Sequence, residues 1–203
     1  MRILTVYENN INERYMEQVV AALKDGEVII YPTDTLYALG CDALNNNAVQ
    51  RICRVKGINP DKTNLSIICS DLSQASDYAR IDNRAFRVLK ENLPGAFTFI
   101  LPASTTLPKV FKGRKQVGVR IPDNAIPREI ASRLGNPILT TSVEIDPENP
   151  DDGCNPEAIA LRYDEVAALI VDGGEGNILA STVVDLTDSS DPVIIREGSG
   201  ELK

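Results

Sequence analysis

Chemistry in this chain has to come from hydroxyls and fixed cations, and five segments hold such groups at the end of an element. In Tyr31-Pro32-Thr33-Asp34-Thr35-Leu36-Tyr37-Ala38-Leu39-Gly40, proline stops a strand, three hydroxyls and a carboxylate follow, and Gly40 is expected to take a turn conformation. In Val117-Gly118-Val119-Arg120-Ile121-Pro122 a guanidinium ends an apolar strand, where it could grip a carboxylate or phosphate through two parallel hydrogen bonds. Ile138-Leu139-Thr140-Thr141-Ser142 ends in hydroxyls, and Ser181-Thr182-Val183-Val184-Asp185 begins with them. Arg54-Val55-Lys56-Gly57-Ile58-Asn59-Pro60 sets two cations at the end of a helix. Each segment also has a plain structural reading. Turn hydroxyls satisfy their own backbone, a lone arginine forms an ion pair, threonine suits strands, and cations complement a helix C-terminus.

The composition removes other chemistries. None of the 203 residues is histidine, which excludes Ser-His and Cys-His pairs, imidazole bases and most zinc sites. Cys41, Cys53, Cys69 and Cys154 form no Cys-x-x-Cys pair and read as buried thiols in a reducing compartment. Neither a Walker-type loop nor G-x-G-x-x-G is present, so a nucleotide would be held in another way. No apolar run approaches the roughly 18 residues of a membrane span, and a soluble cytoplasmic protein without membrane contact is expected.

The elements that must position these groups alternate. Apolar, β-branched stretches at 28–31, 65–69, 97–101, 117–121, 138–141, 168–171, 182–186 and 193–196 are expected to be strands. Asn12 can cap a helix carrying Tyr15, Met16, Val19, Val20 and Leu23 at helical spacing, with Gly26 at its end. Further helices are expected at 46–55, 71–78, 83–92 and 124–134. This pattern predicts one α/β domain over residues 1–203, a twisted mixed sheet with flanking helices. Residues 144–156, acidic and proline-bearing, read as a long exposed loop.

Charge is uneven. The chain has a net charge of -8, but residues 1–142 hold 18 bases and 14 acids, whereas residues 143–203 hold 3 and 15. The windows 51–62 and 109–120 contain nine bases and one acid, Asp61. If the fold joins them, they make a cationic face on an acidic protein.

Taken in order, Pro-Thr-Asp-Thr-Leu-Tyr-Ala-Leu-Gly (32–40), Lys-Gly (56–57), Pro-Gly-Ala-Phe-Thr (94–98), Arg-Ile-Pro (120–122), Thr-Thr-Ser (140–142), Asp-Gly-Gly (172–174), Ser-Thr-Val-Val-Asp (181–185) and Ile-Arg-Glu-Gly (195–198) resemble the YrdC/YciO family of threonylcarbamoyl-adenylate synthase-like proteins. The resemblance implies a YrdC-like fold with a concave, positively charged face and an association with tRNA or double-stranded RNA. Its synthase branch is a nucleotidyltransferase that joins L-threonine, bicarbonate and ATP, with Mg²⁺, as a step of tRNA modification. By that resemblance Thr33, Thr35, Arg120 and Ser181 face the amino acid, while Lys56, Ser142 and Arg196 face ATP or AMP. Lys56, Arg120 and Ser142 are then the catalytic set, and Arg51, Arg54, Lys112, Arg114 and Lys115 are RNA contacts.

The chain departs from the synthase pattern. Lys-x-Arg reads Lys56-Gly57-Ile58, Ser-x-Asn reads Ser142-Val143-Glu144, and no histidine stands near Ile67 and Ile68. Loss of a phosphate-binding arginine costs about 1.5–3 kcal/mol, and a carboxylate beside a polyphosphate repels it. The sequence therefore resembles the YciO branch more closely. It leaves open adenylate synthesis, a noncatalytic RNA-binding protein on the same fold, and a small-molecule sensor.

Overall fold

Asn12, Asn45, Asp71, Asp82, Asn124 and Asn155 each accept a backbone N–H from the turn that follows, so each helix begins where a short polar side chain can cap it. The helices are α1 (Glu13–Lys24), α2 (Asn46–Val55), α3 (Leu72–Tyr78), α4 (Asn83–Asn92), α5 (Ala125–Leu134) and α6 (Pro156–Arg162). The computed structural model describes residues 1–59, 65–104 and 114–203. None of its helices is long and apolar enough to cross a membrane.

Ten strands form one sheet. They are β1 (Arg2–Thr5), β2 (Ile29–Tyr31), β3 (Ala38–Asp42), β4 (Ser66–Ile68), β5 (Phe97–Pro102), β6 (Gln116–Arg120), β7 (Ile138–Ser142), β8 (Leu169–Asp172), β9 (Thr182–Asp185) and β10 (Val193–Arg196). Their order is β1-β8-β2-β3-β7-β4-β6-β5-β9-β10. Parallel pairs (β1 with β8, β2 with β8, β4 with β6, β5 with β9) mix with antiparallel ones, so the expected mixed α/β architecture is what forms.

Because side chains alternate across a strand, residues paired in register share a face. Leu39, Ile67, Phe99, Val119, Leu139 and Val184 lie on one face, in a core closed by α2, α3, α4 and α6. On the other face Ile29, Tyr31, Ala38, Ile68 and Ile138 pack under α1 and α5. Beyond Ile68 and Ile138 that second face turns polar: Ser66 pairs with Thr140 and Gly118, and Thr98 pairs with Val183. Among the described residues, no helix covers this part of the sheet.

Two expectations need correction. Gly40 is not in a turn; it sits inside β3, where a Cβ would lie 2.6 Å from the Tyr31 ring and 2.7 Å from Ile138 Cγ2. Nor is 144–156 one exposed loop: Pro150–Gly153 is a short 3-10 helix, Gly153 and Cys154 are buried, and Pro156 opens α6. β1, β3 and α6 were not anticipated. Ala38-Leu39-Gly40-Cys41-Asp42 has little intrinsic strand preference and is held extended by β2 and β7 on either side.

Candidate functional site

This part of the sheet forms a cleft of about 290 Å³. Its floor is built from strands: Ser66 from β4, Gly118 and Arg120 from β6, Thr98 and Ile100 from β5, Thr140 and Ser142 from β7. Ser181 and Val183 close one side with Arg196 from β10, and Ile58 and Leu65 close the other. Gly118 keeps the floor low, since a Cβ there would stand 2.4 Å from Ser66 Oγ.

Arg120 is the most constrained charge in the cleft. It is 5% exposed, and its Nη2 donates to Thr35 Oγ1 at 2.9 Å and to Asp34 Oδ1 at 3.3 Å. The other Asp34 oxygen accepts the backbone N–H of Asp123 at 2.9 Å, tying the 32–37 segment to the entry of α5. Burial pushes the Asp34 carboxyl up, opposed by the Arg120 charge. Burial likewise draws the Arg120 guanidinium down; Asp34 opposes this, while Arg196 adds repulsion. Two guanidinium groups therefore face one hollow closely enough to repel each other. Arg120 Nε is buried without an acceptor. An anion between the two arginines would relieve both conditions.

The threonines beside Arg120 form a directional chain. Thr33 Oγ1 lies 2.7 Å from the Leu36 carbonyl, which can only accept, so the Thr33 proton goes there. In the 3.0 Å contact between the two hydroxyls Thr35 must then donate to Thr33. Thr35 in turn accepts from Arg120. Both hydroxyl protons are committed to orienting the guanidinium. On the opposite wall Thr98 and Ser181 hydroxyls are 2.8 Å apart, and Arg196 Nη2 donates to the Ser181 carbonyl at 2.8 Å and its hydroxyl at 3.3 Å. Tyr31, fully buried, reaches across Gly40 to donate to Thr140 Oγ1 at 2.9 Å, which leaves the Thr140 proton free of that bond.

Of the residues selected from sequence, Arg120, Ser142, Ser181 and Arg196 line the cleft together, and Thr35 touches it through Arg120. Thr33 lines a neighbouring open cavity with Pro32, Asn124 and Gly173. Lys56, the C-cap of α2, sits at the rim two residues before Ile58, and its Nζ is 2.9 Å from Glu144 Oε1. Arg51 pairs with Glu27 at 3.0 Å, while Arg54 and Lys115 are exposed. Burial pushes the Cys53 thiol of α2 up, and the Arg114 charge opposes that rise. Lys112, with Lys62 and Lys109, lies outside the described residues. The sequence marked Asp34 as a strand-end carboxylate without assigning it a role, and Ser66, Thr98 and Gly118 were not marked as site residues. For Thr98 and Gly118 the signal was the alternation Phe97-Thr98-Phe99 and Val117-Gly118-Val119-Arg120, one apolar face and one wet face.

A mixed α/β sheet carries here a hydroxyl-lined cleft with two arginines, a lining whose chemistry suits an anion. The family model of Sua5, YciO and YrdC proteins, described as telomere recombination, matches residues 21–198, and the chain belongs to that family. It is 40% identical to the uncharacterized protein YciO of Escherichia coli over 98% of this chain and 96% of that one. The crystal structure of E. coli YciO superposes with a TM-score of 0.90 at 39% identity, covering 100% of this chain and 98% of that one. Threonylcarbamoyl-AMP synthase of Bacillus subtilis is 33% identical over 94% of this chain but only 55% of its own length. The structure of Pyrococcus abyssi Sua5 complexed with L-threonine has a TM-score of 0.84 at 32% identity, covering 98% of this chain and 58% of that one.

Proposed function

We propose that the cleft binds L-threonine or a close amino acid together with ATP or AMP, and that the protein works in L-threonylcarbamoyl-adenylate chemistry serving tRNA modification. The observation that carries this reading is that Arg120, whose buried Nε has no acceptor, lines the same cleft as Arg196. Kinship with a protein solved with L-threonine and with threonylcarbamoyl-AMP synthases supports it. In the forward reaction, threonine and bicarbonate give a carbamate with loss of water. A carbamate oxygen attacks the α-phosphate of ATP, and pyrophosphate leaves with the electron pair of the broken P–O bond. No side-chain nucleophile is needed, which suits a chain without histidine. Arg120 would hold the amino-acid carboxylate, and Arg196 would offset charge on the phosphate. Among the described residues no group of three or more acidic, Cys or His side chains could cage a metal. Mg²⁺ would therefore arrive on the ATP phosphates, coordinated by them and by water.

The direct test is incubation with labelled threonine, bicarbonate, ATP and Mg²⁺. Threonylcarbamoyl-AMP and equimolar pyrophosphate are expected; absence of both ends the synthase reading. Arg120→Lys, which loses the planar fork, should weaken threonine binding about tenfold or more. A second reading, tRNA or duplex-RNA binding without turnover, is favoured by the proximity of Arg114 to α2. It predicts a fall in log affinity of about 0.7–0.9 per phosphate contact for each log unit of salt.

A further inference from the structure

The charges around the cleft cancel in pairs, with one exception. Arg120 is matched by Asp34, and Lys56 by Glu144; Arg196 bonds only to the neutral carbonyl and hydroxyl of Ser181. Among the described residues this leaves a single unmatched positive charge in the lining. A triphosphate carries about four negative charges and needs more than that. The Lys56 side chain is 13% exposed, so its ammonium is held at the rim, whereas Glu144 is 67% exposed.

Glu144 is nevertheless built into place. Its backbone N–H donates to the Tyr163 hydroxyl at 3.1 Å, and its carbonyl accepts from Arg162 at 2.8 Å, both from the end of α6. Its side chain then crosses to the end of α2, two residues beyond Ser142 on one side and two before Ile58 on the other. Lys56 holds the Glu144 carboxyl below the usual glutamate range, with Arg162 adding to the effect, so the group is ionised at neutral pH.

We propose that Glu144 is a specificity-determining residue: an internal anion that occupies Lys56 and biases the cleft toward a single phosphate and against a polyphosphate. This rests on the reading that the cleft takes a nucleotide, and it names which phosphorylation state the protein prefers. The Lys56 end of the cleft then favours AMP, or an adenylate joined through its one phosphate, over ATP. Ile58 and Leu65 reinforce the bias by offering that region hydrocarbon where a second cation could have stood.

The test titrates the intact protein with AMP, ATP and inorganic tripolyphosphate, each with Mg²⁺, by calorimetry. It compares the native chain, Glu144→Gln, Lys56→Gln and the double variant. Glu144→Gln should tighten ATP and tripolyphosphate about tenfold and AMP less than about threefold, with the gain shrinking at high salt. The gain should vanish in the double variant, because it acts through a released Lys56. Equal changes for all three probes, a gain that survives loss of Lys56, or no tripolyphosphate binding by Glu144→Gln would each overturn the proposal. Glu144→Ala provides a second variant, and unchanged circular dichroism verifies its folding. Tripolyphosphate binding does not depend on turnover, so failure of the adenylate assay is read separately.

Discussion

At Arg120 the donors outnumber the acceptors. Asp34 and Thr35 use one nitrogen, Nε has no partner, and the Thr35-to-Thr33-to-Leu36 chain fixes which way the guanidinium faces. Such a group is expensive to bury, and because a guanidinium keeps its proton it depends on Asp34 beside it to offset the charge. Asp34→Ala should therefore destabilise the protein by about 3–5 kcal/mol by stranding the buried cation. Arg120→Met/Asp34→Ala should recover much of that loss, because both charges leave together. Urea unfolding of the two variants decides the matter; equal stability would mean that the pair is well hydrated. Arg120 and Asp34 were both visible in the sequence as strand-end groups, but their partnership was not, since 86 residues separate them. The same applies to Lys56 and Glu144, 88 residues apart, the one read as a nucleotide-facing lysine and the other as a departure from the synthase pattern.

Among the elements, the two strand glycines do different work. Gly40 stands opposite Thr140 in β7, and its bare backbone lets the Tyr31 ring cross from β2 to reach that threonine. Gly40→Ala should cost about 1–3 kcal/mol through overpacking against Tyr31 and Ile138. Gly118→Ala meets the Ser66 hydroxyl, which can rotate, and Ser66 Cβ and Thr98 Cγ2, each at 3.2 Å. It should leave stability nearly intact and fill the cleft floor, so ligand affinity should drop about tenfold while thermal unfolding barely moves. If the melting temperature falls as far as it does for Gly40→Ala, the floor assignment is wrong. Strands with alternating or β-branched residues and helices with polar caps were readable from local pattern, down to Asn46–Val55 and Asn83–Asn92. β3 was not, because its extension is imposed by neighbours from distant parts of the chain. Pro32 and Gly40 both carried turn signals, and only at Pro32 did the strand stop.

Among its described residues the whole molecule covers its sheet asymmetrically: four helices on one face, two on the other, and a cleft where coverage stops. Deep burial also sets its alkaline limit. Desolvation raises the Tyr31 hydroxyl and the Cys41 and Cys69 thiols, and it pushes Tyr37 up to about 12. In the unfolded chain these acids ionise first, from about pH 8.5 for the thiols and about pH 10 for the phenols. The unfolded state then binds fewer protons than the folded one, so stability is fully present below that range and falls as pH rises through it. Urea midpoints should decline steadily from pH 8 to pH 11; a flat profile would show that these groups are not shielded.

Arg196 hangs on β10, the last strand of the sheet, whose four residues are all exposed and whose ladder joins β9 alone with a register shift between Ile194 and Arg196. Paired on one side only, this strand belongs to the less protected part of the fold. The consequence is that the protein should stop gripping anions before it melts. Mild denaturant would fray the margin, withdraw the guanidinium from Ser181 and silence the cleft, while the helices and the rest of the sheet remain in place. Amide exchange at Ile194 and Ile195 should run ahead of that at Phe99 and Val119 by orders of magnitude, and ligand affinity should follow the fast sites.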